Sequence, residues 1–156
     1  MKRFTALLLA AFLLLSLAAC GGSEGKTADP KTLADDMLAA LKAQGETMEV
    51  TGDTAENYYA MGDMVKDYRI YLSTMYIGEE VAVFRLAEGK KADDVKAMCQ
   101  QRIQDLKDSF DGYLPEEYAA VEENAVVLAS GDVVAMVTGT KEGVAAAKEV
   151  FEKALG

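Results

Sequence analysis

Apolar residues along the chain repeat with a period of about 3.6 in some segments and about 2 in others, and the switches divide it into elements. Asp29-Pro30 has the form of a helix start, with Asp as cap and Pro in the first turn. Leu33, Met37, Ala40, Leu41 and Gln44 follow at helical spacing, and Gly45 reads as the stop. Met48 to Thr51 suits a short strand, and Ala55 to Met61 suits one or two helical turns ended by Gly62. The run Tyr68 to Tyr76 is aromatic and β-branched, Gly78-Glu79 supplies a turn, and Val81 to Leu86 returns, which predicts a β-hairpin. From Ala92 to Phe110 the period becomes helical again, with Val95, Met98, Cys99, Ile103, Leu106 and Phe110 on one face. Pro115 to Tyr118 is read as a single helical turn. A second hairpin spans Ala125–Ala129 and Val133–Thr138 around Ser130-Gly131-Asp132, and Lys141 to Leu155 predicts a last helix with Val144, Ala147, Phe151 and Leu155 inward. The expected fold is α+β: a two-layer sandwich of an antiparallel sheet of about four strands, in two hairpins, with helices packed mainly on one face.

The first twenty residues follow no such period. Lys2 and Arg3 precede an apolar run from Phe4 to Leu15, broken only by Thr5, and small residues then lead to a cysteine at Leu17-Ala18-Ala19-Cys20. A charged start, a short apolar core and small residues at a cut site form a secretory signal. The stretch is shorter than the ~20 residues a helix needs to span a bilayer. The last four residues match the lipobox of bacterial lipoproteins. That resemblance implies a diacylglycerol on the Cys20 sulfur and cleavage by signal peptidase II between Ala19 and Cys20, leaving an acylated, palmitate-type anchor outside the cytoplasm. Two acyl chains hold durably, because each buried methylene contributes ~0.8 kcal/mol. The expected organisation is a signal over 1–19, a lipidated cysteine and polar tether over 20–29, and one domain over 30–156. A tether of this composition has an r.m.s. span of about 16 Å, which keeps the domain near the membrane.

Charge and chemistry narrow the functional classes. The chain has 16 basic and 26 acidic residues, and loss of Lys2 and Arg3 with the signal takes its net charge from −10 to about −12. So acidic a surface repels nucleic acid and anionic headgroups, so no nucleic-acid partner is expected and membrane contact is assigned to the lipid. There is no histidine, which removes the commonest general base and the Ser-His and Cys-His pairs. Once Cys20 is lipidated Cys99 has no partner, so no disulfide forms and no zinc or copper site is expected; Cys99 reads as a core residue. Asp108, Asp111, Gly112 and Glu117 do not fit the spacing of a calcium loop. No cofactor and no catalytic residue is assigned. The acidic doublets Asp35-Asp36, Glu79-Glu80, Asp93-Asp94, Glu116-Glu117 and Glu122-Glu123 are read as solvated faces, since neighbours in sequence point apart.

Seven tyrosines and no tryptophan are present, and five tyrosines fall between 58 and 76. Tyrosine combines an apolar body with a polar tip and suits recognition of sugars, peptides or proteins. Asn57, Tyr58, Tyr59 and Tyr71 form the candidate binding patch. With the lipobox, Glu56-Asn57-Tyr58-Tyr59, the Tyr68–Phe84 hairpin and Phe110-Asp111-Gly112-Tyr113-Leu114-Pro115-Glu116-Glu117-Tyr118, the chain resembles an uncharacterised family of small lipoproteins from Gram-positive bacteria, a domain of unknown function. The resemblance covers nearly all of residues 30–156 and implies the outer face of a cytoplasmic membrane, but no activity. The leading expectation is a non-enzymatic binding module at the cell surface, with an unknown ligand or membrane-protein partner. An envelope hydrolase using paired carboxylates and an accessory subunit of a membrane complex are the alternatives.

Overall fold

A computed structural model describes residues 27–74 and 78–156. The signal, Cys20, most of the tether and Tyr76 lie outside the described residues. The described elements are α1 (Pro30–Leu41), β1 (Thr47–Val50), α2 (Gly52–Tyr58), β2 (Val65–Ser73), β3 (Glu80–Leu86), α3 (Ala92–Phe110), α4 (Pro115–Asn124), β4 (Val126–Ser130), β5 (Val133–Thr138) and α5 (Lys141–Leu155). The class is α+β as expected, and every strand pairing is antiparallel. Met48 to Thr51 does form an edge strand, so the sheet has five strands rather than four, in the order β1-β2-β3-β5-β4.

Helices cover both faces of the sheet rather than mainly one. Along β3, Val81 and Val83 join Leu33, Met37, Val144 and Phe151 of α1 and α5 in one core. The alternate residues Ala82, Phe84 and Leu86 join Ala55 and Tyr59, in and just after α2, and Val95 and Cys99 of α3 in the other. The period of two therefore survives, but β3 and β5 are apolar on both sides because both sides are covered. Such strands read as continuous apolar runs, as in Val133 to Val137, and do not show which face lies against helices.

Local chemistry explains the boundaries. Asp29 caps α1 as expected, its carboxylate accepting from the Thr32 N–H at 3.2 Å. That helix ends earlier than Gly45, because Lys42 takes a left-handed conformation (φ 52°) and closes it after Leu41. The expected single turn at Pro115 extends to ten residues. Lys107 Nζ donates to Glu122 Oε1 at 2.9 Å, and Val121 packs with Leu106 and Phe110, so α3 holds a helix whose own apolar pattern is weak. The α1–α5 pair is close enough that a Cβ at Gly143 would meet the Leu41 carbonyl oxygen at 2.4 Å, so only glycine fits there.

The antiparallel strands give the sheet two distinct ends. At one, β3 finishes near the β4–β5 turn, and Arg85 Nη2 donates to the Ala28 carbonyl at 2.5 Å, fixing where the domain's N-terminal segment joins. At the other lie the start of β3, the end of β5 and the first turns of α4 and α5. The seven residues of β3 separate the ends by about 23 Å. Phe84 is fully buried between Tyr59, whose ring centroid is 4.9 Å away, and the α3 face. Phe84→Ala should therefore lower stability by about 3–5 kcal/mol, read as a shifted urea midpoint with the slope unchanged.

Candidate functional site

The patch of Asn57, Tyr58, Tyr59 and Tyr71 does not form one surface. Tyr71 packs against the α1–α5 core, where its hydroxyl donates to Asp35 Oδ1 at 2.6 Å and accepts from Arg69 Nη1 at 2.7 Å. It fastens α1 to the sheet and is engaged. Tyr59 is only 1% exposed and belongs to the opposite core. Asn57 and Tyr58 do come together, in a cleft of about 340 Å³ between the end of α2 and the first half of α3.

Three contacts build this cleft. The Tyr68 hydroxyl accepts from the Gly52 N–H at 3.0 Å and sets α2 on the sheet. Glu56 Oε2 accepts from the Met61 N–H at 3.0 Å and turns the chain under the cleft. The third is a buried polar network that the doublet reading of Glu79-Glu80 as solvated had missed. Glu80 is 1% exposed and faces the α3 side of the sheet. Arg102 donates to it through Nε at 3.2 Å and Nη2 at 2.8 Å, and the Tyr59 hydroxyl donates to Glu80 Oε1 at 2.5 Å. The Arg102 guanidinium also lies over the Tyr58 ring, 4.6 Å from its centroid, a desolvated cation–π contact. A network inside the core thus holds the aromatic wall of the cleft.

Arg102 and Glu80, which hold the wall of the cleft beside Tyr58, were not in the sequence patch. Arg102 stands within the apolar stripe of α3, seven residues after Val95 and three after Cys99. A lone cation at such a position, with an acid opening a strand at Glu80, was the available signal. Two nitrogens of Arg102 are spent on Glu80, whereas Nη1 makes no hydrogen bond among the described residues, and Arg102 is one of the residues that line the cleft. Gln101, Asp94 and Asp105 from α3, with Asn57 and Glu56 from α2, complete a rim of planar donors and acceptors over Met64 and Met98. No zinc-type or carboxylate group of three or more metal-ligating side chains occurs among the described residues.

The electrostatics follow from burial. Burial, then the Glu80 charge, raises the Tyr59 hydroxyl well above the ordinary phenol range. Burial, then Glu80, also pushes the Cys99 thiol up to about 12, so it is an inert core group. For Arg102 burial acts downward, but the charge and hydrogen bonds of Glu80 outweigh it and hold the guanidinium charged.

A family model described as a domain of unknown function (DUF4358) matches residues 39–139, and the chain belongs to that family. No curated protein and no solved structure matches it.

A buried ion pair costs several kcal/mol of desolvation per ion, recovered only while both partners are present. Either Glu80→Leu or Arg102→Leu alone should lower stability by about 3–5 kcal/mol, and the double variant should recover most of the loss. Chemical denaturation of the three variants checks this. Alkaline unfolding gives a second test. Tyr59 and Cys99 hold their protons more tightly folded than unfolded, so their contribution is complete below the ordinary thiol value of 9.0 and falls as pH rises beyond it. Stability should decline above about pH 9, and Tyr59→Phe with Cys99→Ala should flatten that decline in a pH series of thermal melts.

Proposed function

We propose that this member of the DUF4358 family is a lipid-anchored binding module of the cell surface, whose ligand sits in the cleft of Asn57, Tyr58 and Arg102. The carrying observation is the Glu80–Arg102–Tyr59 network, a costly buried arrangement whose outer edge is a guanidinium with Nη1 unspent, stacked on the Tyr58 ring. Buried polar groups of this kind stiffen a site more than they stabilise a fold.

The rim selects the ligand chemistry. Its carboxylates Glu56, Asp94 and Asp105 outnumber Arg102, whose charge Glu80 already offsets, so an anion is disfavoured. Asn57 and Gln101 each offer a donor and an acceptor in one plane. Sugar hydroxyls also donate and accept at once, and the methionine floor takes the apolar face of a sugar ring. A neutral glycan unit of the cell envelope fits, and the volume lies at the small end of ligand pockets. Domain placement agrees with an anchor at Cys20. Seven residues lie between Cys20 and Ala28, and the eight steps of chain reach at most about 28 Å. An anchor at Cys20 would bring the Ala28 end of the sheet, where Arg85 holds the chain, nearest the membrane.

Two measurements test this. Metabolic labelling with palmitate should mark the wild-type chain and leave Cys20→Ser unmarked and unprocessed; equal labelling of both would refute the anchor. Titration calorimetry against neutral N-acetylglucosamine oligomers should show saturable binding that Asn57→Ala weakens about tenfold without altering the melt. Undiminished binding by Asn57→Ala and Tyr58→Ala would place the ligand elsewhere.

A further inference from the structure

The sheet ends in two edge strands of different character, β1 and β4. β1 is four residues long and carries Glu49, which is tied to Arg69 at 3.5 Å, and a charge on an edge discourages further pairing. β4 is Val126-Val127-Leu128-Ala129-Ser130, with no charge, no proline and an unbroken register against β5. Its backbone groups alternate in direction. The Leu86 N–H donates to the Asp132 carbonyl at 2.8 Å on the β3 side, which turns the backbone groups of Val133 toward its β4 partner, Ser130. Val126, Leu128 and Ser130 therefore bond to β5, and the N–H and C=O of Val127 and Ala129 point outward. Neither has a backbone partner on that side among the described residues, and Ala129 is exposed. Beside this edge a cavity of about 240 Å³ opens between Leu128, Ala129 and Ser130 of β4 and Phe151 and Glu152 of α5.

We propose that β4 is a docking edge for an extended segment of a partner protein at the membrane surface, added to the sheet as a sixth strand. An open row of backbone donors and acceptors is completed by another extended backbone, and an edge without charge, proline or bulge admits one. The added strand sends every second side chain to the α5 face, where the cavity between Leu128 and Phe151 has room for one large apolar side chain. Val126, Val127 and Leu128, half-buried against the two cores of the sheet, are covered further by it. Charge selects the flanks of the segment. Glu123 precedes β4, Asp132 follows it and Glu152 lies beside the cavity, on a chain whose net charge without the signal is about −12, so lysine or arginine at the segment's ends is favoured. A second copy fits less well. Antiparallel pairing of two β4 strands about a two-fold axis sends their Ala28 ends in opposite directions, so the two copies cannot both turn that end to one membrane. That choice of occupant rests on the anchor at Cys20; the open edge does not.

The test uses the full chain purified in a neutral detergent, with amide hydrogen exchange followed by NMR. Without ligand, the Val127 and Ala129 amides should exchange about tenfold or more faster than that of Leu128. The probe is the synthetic heptapeptide Lys-Thr-Val-Leu-Val-Thr-Lys. It should slow exchange at Val127 and Ala129 saturably, about tenfold or more, and the same peptide N-methylated at its central residues should not. Ala129→Pro removes one outward donor where an edge strand tolerates proline; it should melt like the wild type and bind the peptide about tenfold more weakly. Asn57→Ala should bind the peptide in full, so the glycan reading can fail without this one, and palmitate labelling reads the anchor separately. No saturable slowing, equal slowing by the N-methylated peptide, or undiminished binding by Ala129→Pro would each overturn the proposal. So would protection of both amides without peptide together with a dimer in sedimentation velocity, which would give the edge to a second copy. Should Ala129→Pro fail to fold, Ala129→Lys at this exposed position decides: several-fold weaker binding supports the edge, and unchanged binding overturns it.

Discussion

The carboxylate of Glu80 is the fixed point of this domain. It opens β3 opposite Thr138 of β5 and Leu72 of β2, in the middle of the sheet, and is sealed beneath α3. An ionised group so placed is tolerated only with partners in full, and they come from separate parts of the chain: Arg102 from the middle of α3, and Tyr59 from just beyond α2. A slip of β3 by one residue would turn Glu80 to the opposite face and leave Arg102 buried without a counter-charge. The network therefore selects one register and one position of two helices, which apolar contacts alone specify weakly.

That requirement separates what the sequence disclosed from what it concealed. The ranges 92–110 and 141–155 were legible because amphipathic period and end signals agree, and both helices run as read. The second hairpin was legible because Gly131 (φ 57°) stands between two apolar runs. The end of α1 was not, because Lys42 adopts a left-handed conformation that nothing in its residue type announces. The length of α4 was not, because its support is tertiary, through Lys107 and Phe110. The second helical layer was hidden in the strands themselves, since apolar runs such as Val133 to Val137 look the same whether one face or both are covered.

The site followed the same rule. Adjacent tyrosines in a chain seldom share a surface, and Tyr58 and Tyr59 divide between a cleft wall and a core. The acidic doublet Glu79-Glu80 divides likewise: pleating turns one carboxylate toward α3, while the other stays at the sheet end. Placing Tyr58 and Tyr59 in one patch joined side chains that the fold separates, and reading Glu79-Glu80 as solvated passed over the burial of Glu80. The more telling mark was single, an arginine inside an apolar stripe, which needed a buried acid somewhere in the chain.

Charge is distributed unevenly over the two ends. Around the Ala28 end, Arg85, Lys90 and Lys31 pair with Asp132, Asp63 and Asp67. At the far end Glu79, Glu116 and Glu117 make no ion pair among the described residues, while Lys107 is committed to Glu122. A tether at the paired end would thus hold the balanced surface against the headgroups and point the acidic surface outward, where repulsion from an anionic bilayer is weakest over a Debye length of about 8 Å. Overall acidity and life at a membrane are compatible on this arrangement, because the field that matters to the bilayer is that of the nearest surface and not of the whole chain.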